Sequence, residues 1–188
     1  MEDIDWPSFL QGLGRRIRES EKKVRIASEQ SERGYPGYPG ATEAEIQEAE
    51  VRLGARFPPS YRAFLQASNG WGAMGGACPG KLWSTTEIEW LFVRNQKAIE
   101  MWGYDPELSM EEHLEFQSQD PVMYHGPFMR GALEISDWGD ACILFLSPEV
   151  VTPEGEWECW ELASWHPGAA RFPSFLNWFK FKSAALHE

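Results

Sequence analysis

The sequence predicts an α+β fold, a mostly antiparallel sheet flanked by helices and preceded by an N-terminal helical extension. The first half of the chain repeats its apolar residues at helical spacing, whereas from about residue 122 they alternate or run together as in strands. A last apolar helix is predicted to begin after Pro173. Helices, then an antiparallel meander, then a helix are typical of α+β domains. With 188 residues, the chain is long enough for one well-packed domain.

Residues 1–33 are predicted to form the helical extension, because apolar residues from Trp6 to Ile17 recur at helical spacing. The Gly- and Pro-rich residues 34–41 interrupt helix and strand alike, so we expect a linker there. Residues 42–184 then form the α+β domain.

Two short helices are predicted at the start of this domain. Thr42 and Glu45 form a capping box, in which each side chain accepts a hydrogen bond from the other residue's amide. Gly54 suits the left-handed residue that ends a helix. Pro58-Pro59 cannot continue that helix but can begin a second one, which we expect to end at Asn69-Gly70.

Further helices are predicted before the strands begin. A second capping box, Ser84 to Glu87, is followed by apolar residues at spacings near 3.6, which predicts a helix over 85–102. A fourth helix is expected over 107–117.

The strands follow from the change of periodicity. Leu133 and Ile135 alternate with polar residues before the turn residues 138–140, which predicts a hairpin whose second strand begins at 141–146. The uninterrupted apolar run of that second strand indicates cover on both faces. A third strand is expected at 157–162.

The charge of the chain excludes several classes of partner. Acidic residues number 29 and Lys plus Arg 17, which leaves a net charge of −12 and a pI near 4.8. That sign opposes binding to nucleic-acid phosphates or to an anionic bilayer, and it favours a basic protein partner. The sequence shows no run of about 18 apolar residues and no secretory signal, so we expect a cytoplasmic protein.

The cysteines suggest no catalytic or covalent framework. Cys78, Cys142 and Cys159 contain no CxxC pair, and a chain of this size folds without covalent cross-links. We therefore expect reduced and mostly buried thiols. Cys142 lies inside the predicted apolar strand, where burial raises the pKa of a thiol and makes it a poor nucleophile.

No motif predicts catalysis, a metal site or a cofactor. The segment 75–82 has the glycine and lysine spacing of a phosphate-binding loop, but Leu82 replaces the hydroxyl that reaches Mg²⁺ and Pro79 removes a backbone donor. The four histidines share no metal-binding spacing, and no GxSxG nucleophile motif occurs. We expect no catalytic residue, no metal and no cofactor, with an unrecognised acidic hydrolase as the alternative.

Acidic residues are concentrated in the second half of the chain. Residues 87–161 contain 17 acids and only three Lys or Arg residues. Acids surround aromatic residues there, which suits a cationic protein partner, because charge speeds the encounter and rings supply buried area. The alternative is that the acids keep the protein in solution and the aromatic residues fill the core. The candidate partner-binding residues are Glu100, Trp102, Tyr104, Asp105, Glu107, Glu111, Glu112, Glu115, Glu154, Glu156 and Glu158.

An ordered motif occupies the first two helices of the domain: a helix end, a double proline, aromatic anchors and an Asn-Gly stop. Its residues are Leu53, Gly54, Pro58, Pro59, Ser60, Tyr61, Phe64, Leu65, Asn69 and Gly70. This motif resembles the opening motif of the SUKH superfamily, the proteins similar to the yeast Smi and Knr cell-wall regulators. Residues 135–140 resemble the family's hairpin and residues 172–176 its closing helix, so the resemblance covers about residues 42–181.

The resemblance implies an α+β fold and, in bacteria, an immunity role: binding a secreted polymorphic toxin, often a nuclease, and blocking it by contact rather than by chemistry. It implies no catalytic residue. Together with the negative charge, it leads us to expect a non-enzymatic antitoxin whose acidic face covers the basic surface of a nuclease. The alternative is a regulatory scaffold of the yeast regulator kind, which would bind its partner through an apolar patch.

Overall fold

The computed structural model shows a five-stranded sheet with helices on both faces. All neighbouring strands are antiparallel and lie side by side in the order in which they occur along the chain. This architecture confirms the predicted α+β class. The residues that the structure describes are 4–19, 36–72, 79–103, 109–115, 124–139, 141–165 and 168–184.

The described residues form seven α-helices and one 3₁₀ helix. The helices are α1 (Trp6–Glu19), α2 (Glu43–Leu53), α3 (Pro59–Ala67), α4 (Leu91–Arg94), α5 (Gln96–Trp102), α6 (Met110–Leu114), the 3₁₀ helix (Gly126–Gly131) and α7 (Phe175–Ala184). Within these residues, no helix has both the length and the apolar character needed to cross a membrane.

The predicted hairpin and the predicted third strand are confirmed. The strands are β1 (Glu89–Trp90), β2 (Leu133–Glu134), β3 (Cys142–Val151), β4 (Trp157–Ala163) and β5 (Ala169–Phe172). Next to the β2–β3 pairing, the Ile135 amide donates to the Leu144 carbonyl at 3.0 Å. Strand β5 was not predicted, because its four residues are too few to show a periodicity.

Helix α1 confirms the first part of the predicted N-terminal helix and packs into an apolar core with α2, α3 and α7. The Trp6 ring lies 5.5 Å from that of Phe64 in α3 and 5.3 Å from that of Phe179 in α7, measured between centroids. Leu13 is fully buried in the same cluster. The rest of the predicted helix, residues 20–33, lies outside the described residues.

Residues 36–41, the described part of the expected linker, run along the domain and bond to it. The Tyr38 amide donates to Ser68 Oγ at 2.9 Å, and the Ala41 amide donates to the Leu65 carbonyl at 2.8 Å. These bonds fix the path by which the chain enters α2.

The predicted capping box at the start of α2 is confirmed. Thr42 Oγ1 accepts from the Glu45 amide at 3.3 Å, and Glu45 Oε2 accepts from the Thr42 amide at 2.7 Å. Gly54 ends the helix with a φ of +67°, the left-handed conformation that glycine adopts most easily. Helix α3 begins at Pro59, as the double proline predicts.

The region predicted as one helix over 85–102 instead forms a turn, strand β1 and the two helices α4 and α5, so this prediction was wrong. Glu87 accepts hydrogen bonds from the Ser84 amide at 3.0 Å and the Ser84 hydroxyl at 2.7 Å, as a capping residue would. Glu89 and Trp90 then pair with β2. Pairing with the sheet satisfies the backbone polar groups there and outweighs the local preference for helix.

The sheet carries an apolar core on each face. Leu144 and Leu146 of β3 join the first core, which α1, α2, α3 and α7 cover. Ile143 and Phe145 join the second core, which α4, α5 and the 3₁₀ helix cover. All four side chains are fully buried, which confirms that this strand is covered on both faces.

The expectation of reduced cysteines was wrong for Cys142, which is disulfide-bonded. Cys159 is a free thiol in the first core, where burial raises its pKa well above the ordinary value. Spacing along a sequence does not reveal which cysteines meet in space, so the bond could not be predicted. Disulfides are rare in cytosolic proteins, and this one does not support the expected cytoplasmic location.

We expect Phe64→Ala to lower the free energy of unfolding by about 3–5 kcal/mol, because it removes a fully buried ring that packs against Trp6, Tyr61 and Phe175. Urea denaturation followed by tryptophan fluorescence measures the change. Val51→Ala in α2 is the control, since this side chain is 81% exposed and its truncation should change stability by less than about 0.5 kcal/mol. A Phe64→Ala protein as stable as the parent would contradict the packing of α1, α3 and α7.

Candidate protein-binding surface

The structure separates the candidate partner-binding residues into several places. Glu100 on α5 is exposed, as are Glu111 and Glu112 on α6 and Glu115 directly after it. Trp102 is half-buried at the end of α5. These five residues lie on or directly after helices on the second-core side of the sheet, where a partner can reach them.

Two other candidates are buried, contrary to the expectation of an acidic strand that contacts a partner. Glu156 is 7% exposed and Glu158 is 1% exposed, so neither belongs to a binding surface. Alternation along β4 places Glu158 on the same face as Trp160, which points into the second core. Glu154 is exposed in the turn between β3 and β4. The candidates outside the described residues are Tyr104, Asp105 and Glu107.

Exposed apolar side chains accompany the helical acids. Met101 is 62% exposed, Met110 52% and Leu114 49%. We term the exposed acidic and apolar residues of α4, α5 and α6, together with Glu115 directly after α6, the acidic–apolar surface: Phe92, Val93, Glu100, Met101, Met110, Glu111, Glu112, Leu114 and Glu115. Helices α4 and α5 also expose Arg94, Gln96 and Lys97. Such a surface buries apolar area against a protein partner while its acids favour positive charge.

A shallow groove opens beside this surface, between α5 and the 3₁₀ helix. Its volume is about 330 Å³, and it is lined by Phe92, Gln96, Ile99, Glu100 and Arg130. The groove combines apolar walls with one carboxylate and one guanidinium. It suits a side chain with an apolar stem and a polar end.

The fourth predicted helix, expected over 107–117, is α6, which within the described residues spans Met110–Leu114. A capping box begins it. Ser109 Oγ accepts from the Glu112 amide at 3.2 Å, and Glu112 Oε2 accepts from the Ser109 amide at 2.8 Å. His113 is the one buried residue of this helix.

Buried polar groups hold His113 against the sheet. Its Nε2 lies 2.9 Å from Glu158 Oε2, and its Nδ1 accepts from the His125 amide at 2.8 Å. Arg171 Nη2 donates to the His113 carbonyl at 2.7 Å, so the network joins α6, β4, β5 and the segment before the 3₁₀ helix. Burial lowers the pKa of His113, although the hydrogen bond and charge of Glu158 act in the opposite direction.

Glu158 is the centre of this network. Its Oε1 accepts from Arg171 Nε at 2.7 Å, and its Oε2 accepts from Trp160 Nε1 at 2.8 Å as well as contacting His113. The side chains of Glu158 and Arg171 are each 1% exposed. Removing one partner of a buried ion pair leaves an uncompensated charge and costs about 3–5 kcal/mol. The carboxylate therefore serves the fold.

A second buried carboxyl group, that of Glu134 on β2, lacks well-formed hydrogen bonds. The residue is fully buried, and neither of its carboxyl oxygens has a hydrogen-bond partner. Burial raises its pKa from 4.5 to about 7, against the lowering influence of Arg94 and Asn95. Close to neutral pH, a large fraction of the Glu134 side chains therefore carries a proton.

A second open groove lies against α3. It has a volume of about 440 Å³ and is lined by Arg56, Phe57, Pro59, Arg62, Ala63, Gln66 and Gly155. Arg62 is already paired with Glu43 and Glu50. Across the described ranges, no group of three or more His, Cys, Asp or Glu side chains could hold a metal ion.

Comparison with known proteins identifies the family. Residues 40–179 match the SMI1/KNR4 family, SUKH-1. This chain belongs to the SUKH-1 family. The matched region includes every strand of the sheet and the ordered motif of α2 and α3, which confirms the resemblance. No curated protein matches the sequence.

The residues that carry the SUKH-1 resemblance have structural roles in this chain. Tyr61 and Phe64 are fully buried in the first core, and Gly54 ends α2. Asn69 Oδ1 accepts from the Thr85 amide at 2.8 Å, which ties the end of α3 to the turn before β1. The residues of the SUKH-1 motif thus hold α2, α3 and the turn before β1 together.

Ser60 of the SUKH-1 motif explains why Glu156 is buried. Glu156 Oε1 accepts from the Ser60 amide at 2.8 Å, and Oε2 accepts from the Ser60 hydroxyl at 2.7 Å. Pro58 gives α3 no side-chain cap, so Glu156 supplies an acceptor and a negative charge at the helix N-terminus. The two residues are 96 positions apart, so no local pattern reveals this contact.

We expect Glu134→Gln to stabilise the protein at pH values above 7 and to change it little below pH 4.5. The folded state raises the pKa of Glu134 from 4.5 to about 7, so folding favours the protonated form. The stability of the parent is therefore complete below pH 4.5 and falls as the pH rises through 7, by up to about 3 kcal/mol. Glutamine has no proton to lose. Urea denaturation at about pH 4.5, 6 and 8 measures the difference between variant and parent.

The control for this experiment is Glu149→Gln, which removes an exposed carboxylate of β3. Its effect should stay within about 0.5 kcal/mol at each pH. If Glu134→Gln changed stability equally at all three pH values, the carboxyl group of Glu134 would not be protonated on folding.

Proposed function

We propose that this chain is a non-enzymatic immunity protein that binds and neutralises a secreted toxin, and that the toxin is a basic, nuclease-type domain. The acidic–apolar surface is the observation that supports this best. On it, α5 exposes Met101 beside Glu100, and α6 exposes Met110 and Leu114 together with Glu111. Membership of the SUKH-1 family is consistent with this function.

The surface suits a basic protein partner for two reasons. Its apolar side chains lose contact with water when a partner covers them, which supplies affinity. Its carboxylates attract positive charge at a distance, which raises the association rate, and the net charge of −12 extends that attraction over the whole molecule. A nuclease needs a basic surface to bind nucleic-acid phosphates. Covering that surface blocks the enzyme.

The placement of the ionisable groups supports inhibition by contact rather than by chemistry. His113, Glu158 and Arg171 are buried and hydrogen-bonded to one another. Glu134 is equally enclosed. A catalytic acid or base must come within hydrogen-bonding distance of its substrate, and none of these four groups is accessible to one.

A regulatory scaffold is the second candidate, and the groove with the apolar walls Phe92 and Ile99 favours it. The two functions differ in their dependence on salt. At physiological ionic strength, screening limits the reach of exposed charges to about 8 Å, so a complex with a basic toxin should weaken steeply as salt rises. A complex that a scaffold forms through apolar contacts should not weaken in this way. The dissociation constant at about 50 and about 300 mM NaCl separates the two.

The direct test begins with the reading frames next to the gene for this chain, one of which we expect to encode a secreted multidomain protein with a nuclease-like terminal domain. Coexpression of the chain should restore growth to cells that produce this basic nuclease domain, and the purified proteins should form a complex measurable by calorimetry. A neighbouring nuclease domain that binds nothing and kills despite coexpression would overturn the proposal.

We expect the double variant Glu100→Lys, Glu111→Lys to slow association with the basic nuclease domain by about tenfold or more, which is the scale of electrostatic steering. Both side chains are exposed, so circular dichroism should show a melting temperature close to that of the parent. Stopped-flow fluorescence measures the association rate. Glu112 is left unchanged because it caps α6.

The matched control is Glu48→Lys, Glu154→Lys, which makes the same change of charge at exposed positions on α2 and in the β3–β4 turn. Its association rate should fall much less, because steering depends most on charges close to the interface. A control that slows as much as the test variant would show that only the net charge matters and would remove the acidic–apolar surface from the proposal.

A further inference from the structure

Within the described residues, helix α6 is attached to the domain by a single buried side chain. Of its five residues only His113 is buried, and Met110, Glu111, Glu112 and Leu114 are exposed. The part of the acidic–apolar surface that α6 presents therefore depends on His113, through the contacts of its imidazole ring and through its carbonyl, which accepts from Arg171 Nη2 at 2.7 Å.

The hydrogen bonds of that ring fix its protonation state. The His125 amide donates to His113 Nδ1 at 2.8 Å, and because an amide N–H can only donate, Nδ1 is the unprotonated nitrogen. Nε2 then carries the hydrogen and donates it to Glu158 Oε2 at 2.9 Å. The ring is neutral. A second proton on Nδ1 would face the amide hydrogen of His125 and break that bond.

Burial and the charges of Arg171 and His125 oppose a second proton on His113, whereas the hydrogen bond and charge of Glu158 favour it. Glu158 faces it from β4, Arg171 from β5, and His125 from the segment before the 3₁₀ helix, which itself contributes the apolar ring of Phe128 at 4.9 Å between centroids. The carboxylate of Glu158 is already shared with Arg171 Nε at 2.7 Å. The charges of Arg171 and His125 lower the pKa of His113 further, in addition to the larger effect of burial.

We propose that α6 is a docking helix for the basic partner and that a proton releases it: neutral His113 holds Met110, Glu111 and Leu114 in place, and protonation of His113 detaches α6 and weakens the complex. The partner is basic because carboxylates flank the two exposed apolar side chains of this helix. This inference rests on the proposed function for the identity of the partner.

The release occurs in a defined pH range. The pKa of His113 is lowered from 6.5 in the folded protein, so its stabilising effect is complete above pH 6.5 and is lost as the pH falls toward the lowered value. For each unit by which the pH falls within that range, the ratio of detached to attached α6 rises by up to about tenfold. The capping box of α6 remains formed in this pH range, because hydrogen bonds from the amide and hydroxyl of Ser109 lower the pKa of Glu112 below 4.5.

The first test uses the full chain alone. Nitrogen-15 NMR of the imidazole rings should identify His113 as the Nε2-protonated tautomer at about pH 7.5. Hydrogen exchange of the α6 amides, corrected for the intrinsic rate, should accelerate by about tenfold between about pH 7 and pH 5. Unchanged exchange of α6 across this range, or a protonated Nδ1 at about pH 7.5, would overturn the inference.

Two variants assign the response to His113. His113→Gln is neutral at every pH, so the exchange of α6 should no longer depend on pH. His125→Gln is the matched control: it keeps the backbone amide that binds Nδ1 and removes the neighbouring imidazole, so the response should persist. A response lost in His125→Gln and kept in His113→Gln would overturn the inference. If His113→Gln already detaches α6, the NMR titration of the parent still decides, because it detects the same proton directly.

The second test measures the complex with the basic nuclease domain. Its dissociation rate should rise by about tenfold between about pH 7.5 and pH 5.5 in the parent and stay constant in His113→Gln. If the dissociation rate did not depend on pH while the hydrogen exchange of α6 did, α6 would not belong to the interface. The inference would then be rejected, and the proposed function would be unaffected. If no complex forms, the proposed function fails, and the partner assigned to α6 fails with it. The exchange experiment then still reports whether a proton detaches the helix.

Discussion

One buried carboxylate, that of Glu158, connects parts of the chain that are distant in sequence. It binds Arg171 on β5, Trp160 on β4 and His113 on α6, and all four residues are buried. A buried charge is tolerated only when its partners surround it, so the position of each partner is tightly constrained. The second face of the sheet is thus organised by directional hydrogen bonds, whereas the first face is held by packed aromatic rings.

The parts of the fold that depend on local signals could be predicted from the sequence. The capping box of Thr42 and the left-handed Gly54 define α2 through contacts within a few residues. Strand β1 was missed because Glu89 and Trp90 gain their hydrogen bonds from β2, more than 40 positions later, while their own neighbours favour a helix. A tertiary contact of this kind cannot be predicted from the residues on either side of the strand.

The candidate surface was predicted only in part, for a related reason. Glu111 and Glu158 are both acids close to aromatic residues in sequence, yet one is exposed on a helix and the other is buried in a network. Only the approach of Arg171 and His113 distinguishes them. The exposed apolar residues were missed as well. Leu114 is an apolar residue of a predicted helix, and the sequence alone does not show that it is exposed.

The exposed positions of α6 contribute little to the stability of the domain, because His113 is the one buried residue of this helix among those described. Substitutions at Met110, Glu111 or Leu114 should leave the folding free energy nearly constant. The chemistry of this surface can therefore change without loss of the fold. Substitution of His113 or of its partner Glu158, in contrast, would remove the contact that holds α6 against the sheet.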